Sequence, residues 1–210
     1  MDSMQWENAQ AAVEAMIEVL KTQPPQICYP QVKAALAHYP ENAELHSIAG
    51  VCFLLESDDA KALEYFNEAA RLDPNELRYQ VNRAELLVKF KRTEEAMEIF
   101  QHVLNQDPRY ESAYIGMGNV YQEAEDLESA SAQFARAIRF NPHSIAARNN
   151  YASTLVKLGN YEEALQQTQK ILSVQPDHKV SHKRLAKILI HFSRFEEAAQ
   201  YLEQAVQYFP

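Results

Sequence analysis

Residues 111–142 read ESAYIGMGNVYQEAEDLESASAQFARAIRFNP and contain the pattern that decides the fold. The apolar residues of this stretch recur at helical spacing, in two runs of roughly three to four turns each. The second run stops before Asn141-Pro142, and a proline disfavours helix at the residue that precedes it. The stretch therefore predicts a pair of helices that ends at Pro142.

The proline at the end of this stretch is one of a periodic series. Six of the nine prolines are evenly spaced along the chain, at Pro40, Pro74, Pro108, Pro142, Pro176 and Pro210. If this proline is the thirty-second residue of each repeat, the repeats span residues 9–42, 43–76, 77–110, 111–144, 145–178 and 179–210. The first residue of each range is position one of its repeat. The spacing predicts six tandem helix pairs.

Three other positions of the repeat fall into register. The eighth position is small in five repeats, as in Gly50 and Gly118, and the twentieth is alanine in five. The twenty-fourth position is large in most repeats, as in Phe66 and Phe134. Small residues allow paired helices to approach closely, and we expect the large residue to fill the space beside them.

This pattern resembles the tetratricopeptide repeat family, in which a two-helix unit of the same length recurs. The resemblance covers residues 9–210 and implies an all-α fold, a right-handed α-solenoid of stacked antiparallel helix pairs forming a single domain over residues 1–210. Repeat 1 departs most from the pattern, with Met16 at the small position and Pro24, Pro25 and Pro30 around its turn. We expect its second helix to be short and to begin near Pro30.

The composition excludes several classes of protein. The 210 residues carry a net charge of −9, which argues against general binding of nucleic acid. The longest apolar run, residues 47–55, is too short to span a membrane. A secretory signal would begin with basic residues, and no basic residue precedes Lys21. Two cysteines suggest a reducing compartment, so a cytoplasmic location is expected.

The sequence predicts no catalytic residue, metal site or cofactor. Gly116 and Gly118 lack the third glycine and preceding strand of a phosphate loop. His178, His182 and His191 lie close in sequence, but no acidic or cysteine ligand accompanies them at a recognised spacing, so solvent-facing or capping roles are expected. Cys28 and Cys52 occupy positions of small core residues, which predicts buried thiols.

The resemblance also implies where a ligand would bind, since the family contacts peptides through the concave face formed by the first helix of each repeat. The corresponding residues are Asn82, Glu85, Lys89, Asn119, Gln122, Asn149, Asn150, Ser153, Lys183, Arg184 and Lys187, with an apolar end at Ile17, Ile48, Val51 and Leu55. Asn82 and Asn150 are similarly placed to the asparagine ladder of the O-GlcNAc transferase superhelix. Such amides donate and accept hydrogen bonds, and can therefore hold a peptide backbone.

The basic end of this face, in repeat 6, predicts a ligand that is acidic there. Asn119, Asn150 and Arg184 also match three of five positions of a carboxylate clamp found in some members of the family, but Ile115 and Val180 replace its two lysines. The leading expectation is a non-catalytic module that binds a peptide or protein segment. An alternative interpretation of the apolar end is that the segment around Trp6 covers it.

The last repeat suggests two further possibilities. Leu202, Val206 and Tyr208 lie where earlier repeats contact their successors, so this surface predicts association with a partner or a second copy, unless it is simply a frayed end. The charge divides unequally, with a net −13 over residues 1–128 and +4 over 129–210. The alternatives to peptide binding are thus self-assembly through the ends, or a substrate-recruiting portion of a larger enzyme such as a glycosyltransferase.

Overall fold

A computed structural model describes residues 6–208, which form twelve α-helices. The first six are α1 (Ala9–Thr22), α2 (Pro25–His38), α3 (Ala43–Leu55), α4 (Asp59–Leu72), α5 (Leu77–Lys89) and α6 (Thr93–Gln106). The other six are α7 (Glu111–Glu123), α8 (Leu127–Phe140), α9 (Ile145–Lys157), α10 (Tyr161–Val174), α11 (Lys179–His191) and α12 (Phe195–Tyr208). Each odd-numbered helix begins at the first position of a repeat, in phase with the prolines.

The chain divides into two compact units, Met1–Val103 and Leu104–Pro210, called here the N-terminal and C-terminal units. In the N-terminal unit, α3 packs against α2 and α4, and α4 packs against α5. In the C-terminal unit, each of α7, α9 and α11 packs against the helix that follows it, and α9 also contacts α7 and α11. Within each unit, successive helix pairs therefore stack side by side.

In repeats 2 and 4 the eighth and twenty-fourth positions meet inside the helix pair, as the sequence predicts. Phe66 and Phe134 are fully buried, each against the glycine at position eight of its own repeat. A Cβ atom added to Gly118 would lie 2.5 Å from Cε1 of Phe134, and one added to Gly50 would lie 2.7 Å from Cε1 of Phe66. In both repeats the phenylalanine ring therefore occupies the space that a side chain at position eight would take.

Backbone conformation at the turn inside each pair is also periodic. The fifteenth position has a positive φ in five repeats, at Ser57, Lys91, Glu125, Gly159 and Ser193, with φ between 59° and 80°. A residue in the left-handed backbone conformation reverses the chain after a helix, and glycine adopts this conformation without steric cost. Only Gly159 has the favoured residue, so the other four turns retain local strain.

A side chain at the fourth position of each odd-numbered helix from α3 to α11 fastens the turn between pairs. It donates a hydrogen bond to the carbonyl oxygen of the periodic proline that precedes its helix, at 2.5–3.4 Å. The donors are His46 Nε2, Gln80 Nε2, Tyr114 Oη, Arg148 Nη2 and His182 Nε2. Since a carbonyl oxygen only accepts, the hydrogen-bond donor is what these five residue types share.

The second helix of repeat 1 corrects the prediction made for it. α2 begins at Pro25 and spans 14 residues, so it is neither short nor started at Pro30. Pro25 lies in the first turn, where a missing N–H costs nothing because no intrahelical acceptor exists. Pro30 lies inside the helix with its ring exposed to solvent, and the helix tolerates the loss of one internal hydrogen bond.

Candidate functional site

Polar side chains connect the odd-numbered helices of the C-terminal unit in what we call the polar row: Asn119, Asn149, Asn150 and Arg184. Nδ2 of Asn150 on α9 donates to Oδ1 of Asn119 on α7 at 3.0 Å. Nη2 of Arg184 on α11 donates to Oδ1 of Asn149 at 2.9 Å. All four side chains are half-buried. Both pairs are separated in sequence by nearly one repeat length, which brings their members together on adjacent helices.

The polar row retains unused hydrogen-bonding capacity. Within the described part of the chain, Nδ2 of Asn119 and Oδ1 of Asn150 bond to no other protein group. One asparagine therefore offers a donor and its neighbour an acceptor, both fixed in orientation by the bond between them. A peptide backbone presents the complementary acceptor and donor on alternate groups.

Arg184 supplies a positive charge to the same face. Burial lowers the pKa of its guanidinium from the ordinary value, although an arginine remains charged at neutral pH. Its Nη1 atom is buried and has no hydrogen-bond partner among the described residues. A buried donor on a charged group costs free energy unless it is paired, so this atom favours an anionic or carbonyl oxygen nearby.

Two exposed lysines extend the positive charge along α11. Lys183 and Lys187 lie four residues apart, so they share one side of the helix. Val180, which replaces a clamp lysine of the family, is exposed and apolar. Of the charges on this helix, Arg184 therefore lies at a clamp position, whereas Lys183 and Lys187 do not.

Two other residues predicted for this face also lie in the C-terminal unit. Nε2 of Gln122 donates to Oγ1 of Thr154 at 3.0 Å, which joins α7 to α9 one turn beyond the asparagine pair. Ser153 is half-buried on α9. Thr154 was not anticipated from sequence, because its position holds apolar core residues in repeats 2, 3, 4 and 6.

The remaining polar residues predicted for the site belong to α5 in the N-terminal unit. Asn82 is half-buried, whereas Glu85 and Lys89 are exposed. Partial desolvation raises the pKa of the Glu85 carboxyl. Nζ of Lys89 forms an ion pair with Asp59 at 2.9 Å, so its charge is already compensated within the protein.

The predicted apolar end requires a correction. Ile48 is buried in the core of the N-terminal unit with Leu45 and Cys52, and it is not available to a ligand. Ile17 and Val51 are half-buried and pack against core clusters of that unit. Only Leu55, which is 59% exposed, presents a large apolar surface. The sequence pattern misled because α3 is apolar on several sides, so apolarity alone did not distinguish its faces.

Sequence reasoning also missed an ion pair between α3 and α5. The guanidinium of Arg78 binds both carboxylate oxygens of Glu44, and Oη of Tyr79 donates to Oε2 of Glu44 at 2.6 Å. These bonds hold the pKa of the Glu44 carboxyl below its ordinary value, although burial opposes the shift. Glu44 and Arg78 occupy position two of successive repeats. Their opposite charges at the same position of neighbouring repeats are the sequence feature from which this ion pair could have been predicted.

His178, His191 and the two cysteines make contacts within the protein. His178 caps α11 by accepting from the backbone N–H of Ser181, and the His191 ring stacks on Tyr161 with centroids 3.7 Å apart. No cluster of three or more potential metal ligands occurs in residues 6–208. Cys28 and Cys52 are buried as predicted, and burial raises the pKa of both thiols, which disfavours the nucleophilic thiolate.

The surface predicted for association is partly visible. Leu202 and Val206 are exposed on α12, while the side chain of Tyr208 lies outside the described residues. None of the helices in residues 6–208 is both long and apolar enough to span a bilayer.

Family comparisons agree with this architecture. A tetratricopeptide repeat model matches residues 143–210, and a second model of the same repeat matches residues 53–117 and 87–148. The chain is an all-α protein of the α-solenoid class, built from stacked antiparallel helix pairs. It belongs to the tetratricopeptide repeat family.

Solved structures share the fold at low sequence identity. That of PilF from Pseudomonas aeruginosa is 21% identical, with a TM-score of 0.79 over 96% of this chain and 92% of the other. The structure of yeast Tom70 is 16% identical, with a TM-score of 0.75 over 96% of this chain and 43% of the other. A chain of the APC/C Cut9–Hcn1 hetero-tetramer is also 16% identical, with a TM-score of 0.85 over 97% of this chain and 41% of the other. No curated protein sequence matches the chain.

Proposed function

We propose that the chain is a non-catalytic interaction module that binds an extended peptide segment along α7, α9 and α11. The observation that carries this proposal is the hydrogen bond between Asn150 and Asn119, which leaves Nδ2 of Asn119 and Oδ1 of Asn150 without a partner among the described residues. Amides arranged in this way bind backbone groups of any sequence and fix the register of a strand-like ligand.

The charge on α11 gives the ligand a direction. Arg184 has a buried Nη1 atom without a partner among the described residues, and Lys183 and Lys187 lie on the same helix. Charge-assisted hydrogen bonds from these groups favour a carboxylate, so the segment carries an acidic side chain at this end. Electrostatic complementarity of this kind sets orientation and speeds association.

The family supports an interaction role in general terms. Helical repeat proteins present extended surfaces to their partners, and the name of one structural neighbour, Cut9–Hcn1, describes a complex of two proteins. The described residues present pairs of amides and a half-buried guanidinium, an arrangement suited to binding rather than to bond-breaking chemistry.

A displayed library of random peptides tests the proposal, with binders selected on the wild-type protein and then measured on variants. We expect acidic peptides that bind the wild type to lose at least about tenfold in affinity for Asn150→Ala/Arg184→Gln, since two hydrogen-bonding groups are removed. Glutamine at 184 keeps a donor for Asn149, which preserves the local packing.

The matched control is Asn67→Ala/Arg139→Gln, which makes the same two substitutions at an exposed asparagine on α4 and an exposed arginine on α8. Its affinity should equal that of the wild type. Binding that is retained by the first variant, or lost equally by both variants, would contradict the assignment of the polar row as the binding site.

A further inference from the structure

The last described helix carries an apolar stripe that no described residue covers. Phe195, Leu202 and Val206 are 61%, 44% and 66% exposed, and Ala199 is exposed between them. The spacing of four, three and four residues places all four side chains on one side of α12, which is the spacing of the contact seam in paired helices. The name "α12 stripe" is used below for these four residues.

The same positions one repeat earlier are covered. The counterparts of the α12 stripe on α10 are, in order, Tyr161, Leu165, Thr168 and Leu172. Tyr161 stacks on His191 of α11, Thr168 is fully buried, and Leu165 and Leu172 pack against Leu185 and Leu189 of α11. The α12 stripe therefore has the position and chemistry of a helix-packing surface.

A cavity of about 190 Å³ lies beside the α12 stripe. It is lined by Leu202, Ala205 and Val206 of α12 and by Lys179, His182 and Lys183 of α11. The apolar floor is thus flanked on the α11 side by ammonium groups. A helix that packs here would bury apolar side chains and place acidic ones next to Lys183.

The first helix of another copy does not fit this surface. In the internal stack, Ile188 of α11 packs against Leu155 and Ala164 of the preceding pair. The equivalent residue of α1 is Glu18, which is exposed to solvent. Stacking α1 onto α12 would bury this carboxylate among apolar groups, which is strongly unfavourable while it stays charged. A head-to-tail chain of copies is thereby disfavoured.

The helix α12 itself carries the complementary charge. Glu196 and Glu203 are exposed on one side of the α12 stripe, and Ala198 and Ala205 are buried toward α11 on the other side. Two antiparallel copies of α12 would bring glutamates of both chains together. Two parallel copies would instead place the glutamates of each chain beside α11 of its partner, where Lys183 and Lys187 lie.

We propose that two copies of this chain associate through a parallel pairing of their α12 stripes about a twofold axis. The apolar seam then buries Phe195, Leu202 and Val206 of both copies, and Glu203 of each copy lies near Lys183 of the other. Such an interface is self-complementary and closed, so assembly stops at the dimer. The α12 stripe shares no residue with the polar row, and of the residues used in the proposed peptide site only Lys183 also takes part in this pairing.

Sedimentation velocity of the full chain tests the proposal, over concentrations from about 1 µM to several hundred µM, where weak dimers dissociate. We expect the mass to rise with concentration from 24.1 kDa to twice that value and no further. Val206→Glu should raise the dimer dissociation constant by about tenfold or more, since a charge enters the seam. Val174→Glu is the matched control, because Val174 is 63% exposed near the end of α10 and lies off the stripe.

Charge reversal tests the pairing directly. Lys183→Glu and Glu203→Lys should each raise the dissociation constant by roughly threefold to tenfold, and the double variant should restore the wild-type value. A chain that remains a monomer at every concentration would overturn the proposal, and so would a dimer that Val206→Glu leaves intact or that grows into larger assemblies. A dimer sensitive to Val206→Glu but unaffected by any charge reversal would overturn the parallel arrangement.

Discussion

The ring of Phe134 occupies the space in which a side chain at Gly118 would lie: a Cβ atom there would be 2.5 Å from Cε1. The two residues are 16 positions apart and join the two helices of one pair. This contact sets how closely the two helices of the pair pack, because the ring on the second helix fills the space left by the glycine on the first. The same relationship holds between Gly50 and Phe66.

Gly118→Ala should therefore destabilise the protein by about 1–3 kcal/mol, the usual cost of overpacking a rigid core. Phe134→Leu alone should also destabilise it, because the smaller side chain leaves a cavity. The double variant should lose less free energy of unfolding than the two single losses added together, since leucine leaves room for the new methyl group. Urea denaturation of the four proteins measures this coupling, and strict additivity would refute the contact.

The turns predict a second effect on stability. Glu125 and Gly159 both have a positive φ at position fifteen, but only glycine adopts it without a steric cost. Glu125→Gly should stabilise the protein by about 0.5–1 kcal/mol, and Gly159→Ala should destabilise it by about 1 kcal/mol. No atom lies within 4 Å of a Cβ placed on Gly159, so the second change reports backbone strain alone. Thermal melting of both variants checks the signs, and equal signs would contradict this account.

The bond from Tyr114 to the carbonyl oxygen of Pro108, at 3.0 Å, predicts a third effect. Tyr114→Phe should cost about 0.5–1.5 kcal/mol of stability while it retains the stacking on Phe140, because only the donor is lost. The Tyr114→His variant should be more stable than the Tyr114→Phe variant, because histidine makes this bond at positions 46 and 182. Tyr121→Phe serves as a control, since the Tyr121 hydroxyl bonds to no group in residues 6–208. Equal losses for Tyr114→Phe and Tyr121→Phe would show that the bond contributes nothing.

The cap of α11 predicts a dependence on pH. Burial, with a smaller contribution from the charge of Arg184, lowers the pKa of His178 below its ordinary 6.5. The unfolded chain therefore binds a proton at this residue more readily than the folded chain does. This contribution to stability is fully present above pH 6.5 and is lost as the pH falls toward the folded pKa.

His178→Asn retains a capping side chain and removes the titration. As the pH falls from 7.5 to 5.5, the free energy of unfolding of the His178→Asn variant should decrease by less than that of the wild type. The raised pKa of Glu85 acts in the opposite direction in both proteins, so the comparison cancels it. The same pH dependence in both proteins would contradict the role assigned to His178.

Much of the fold could be predicted because it depends on spacing. The prolines and the small eighth and twentieth positions follow from steric requirements that each repeat must satisfy, and those requirements restrict the residue type. The bond to the proline carbonyl could not be found in this way. It requires only a donor at position four, and histidine, glutamine, tyrosine and arginine all supply one, so no single residue type marks this position in all five repeats.

The candidate site was less accessible to sequence reasoning. Asn119 and Asn150 follow from repeat positions, but their mutual hydrogen bond depends on rotamers that sequence does not specify. Ile48 illustrates the opposite difficulty, since α3 is apolar around most of its circumference and its buried side could not be separated from an exposed one. The helix through Pro30 was not predicted because an internal proline usually interrupts a helix, whereas here α2 continues through it with the proline exposed.

Side-chain amide NMR tests the central claim, that the polar row binds an extended acidic segment, most directly. An isotope-labelled sample is titrated with an acidic peptide selected on the wild-type protein, and the Nδ2 resonances of Asn119 and Asn150 are followed, with those of Asn67 as a reference. The account predicts saturable shifts of the Asn119 and Asn150 amides and none at Asn67. Saturable binding that leaves both of these amides unshifted would contradict it.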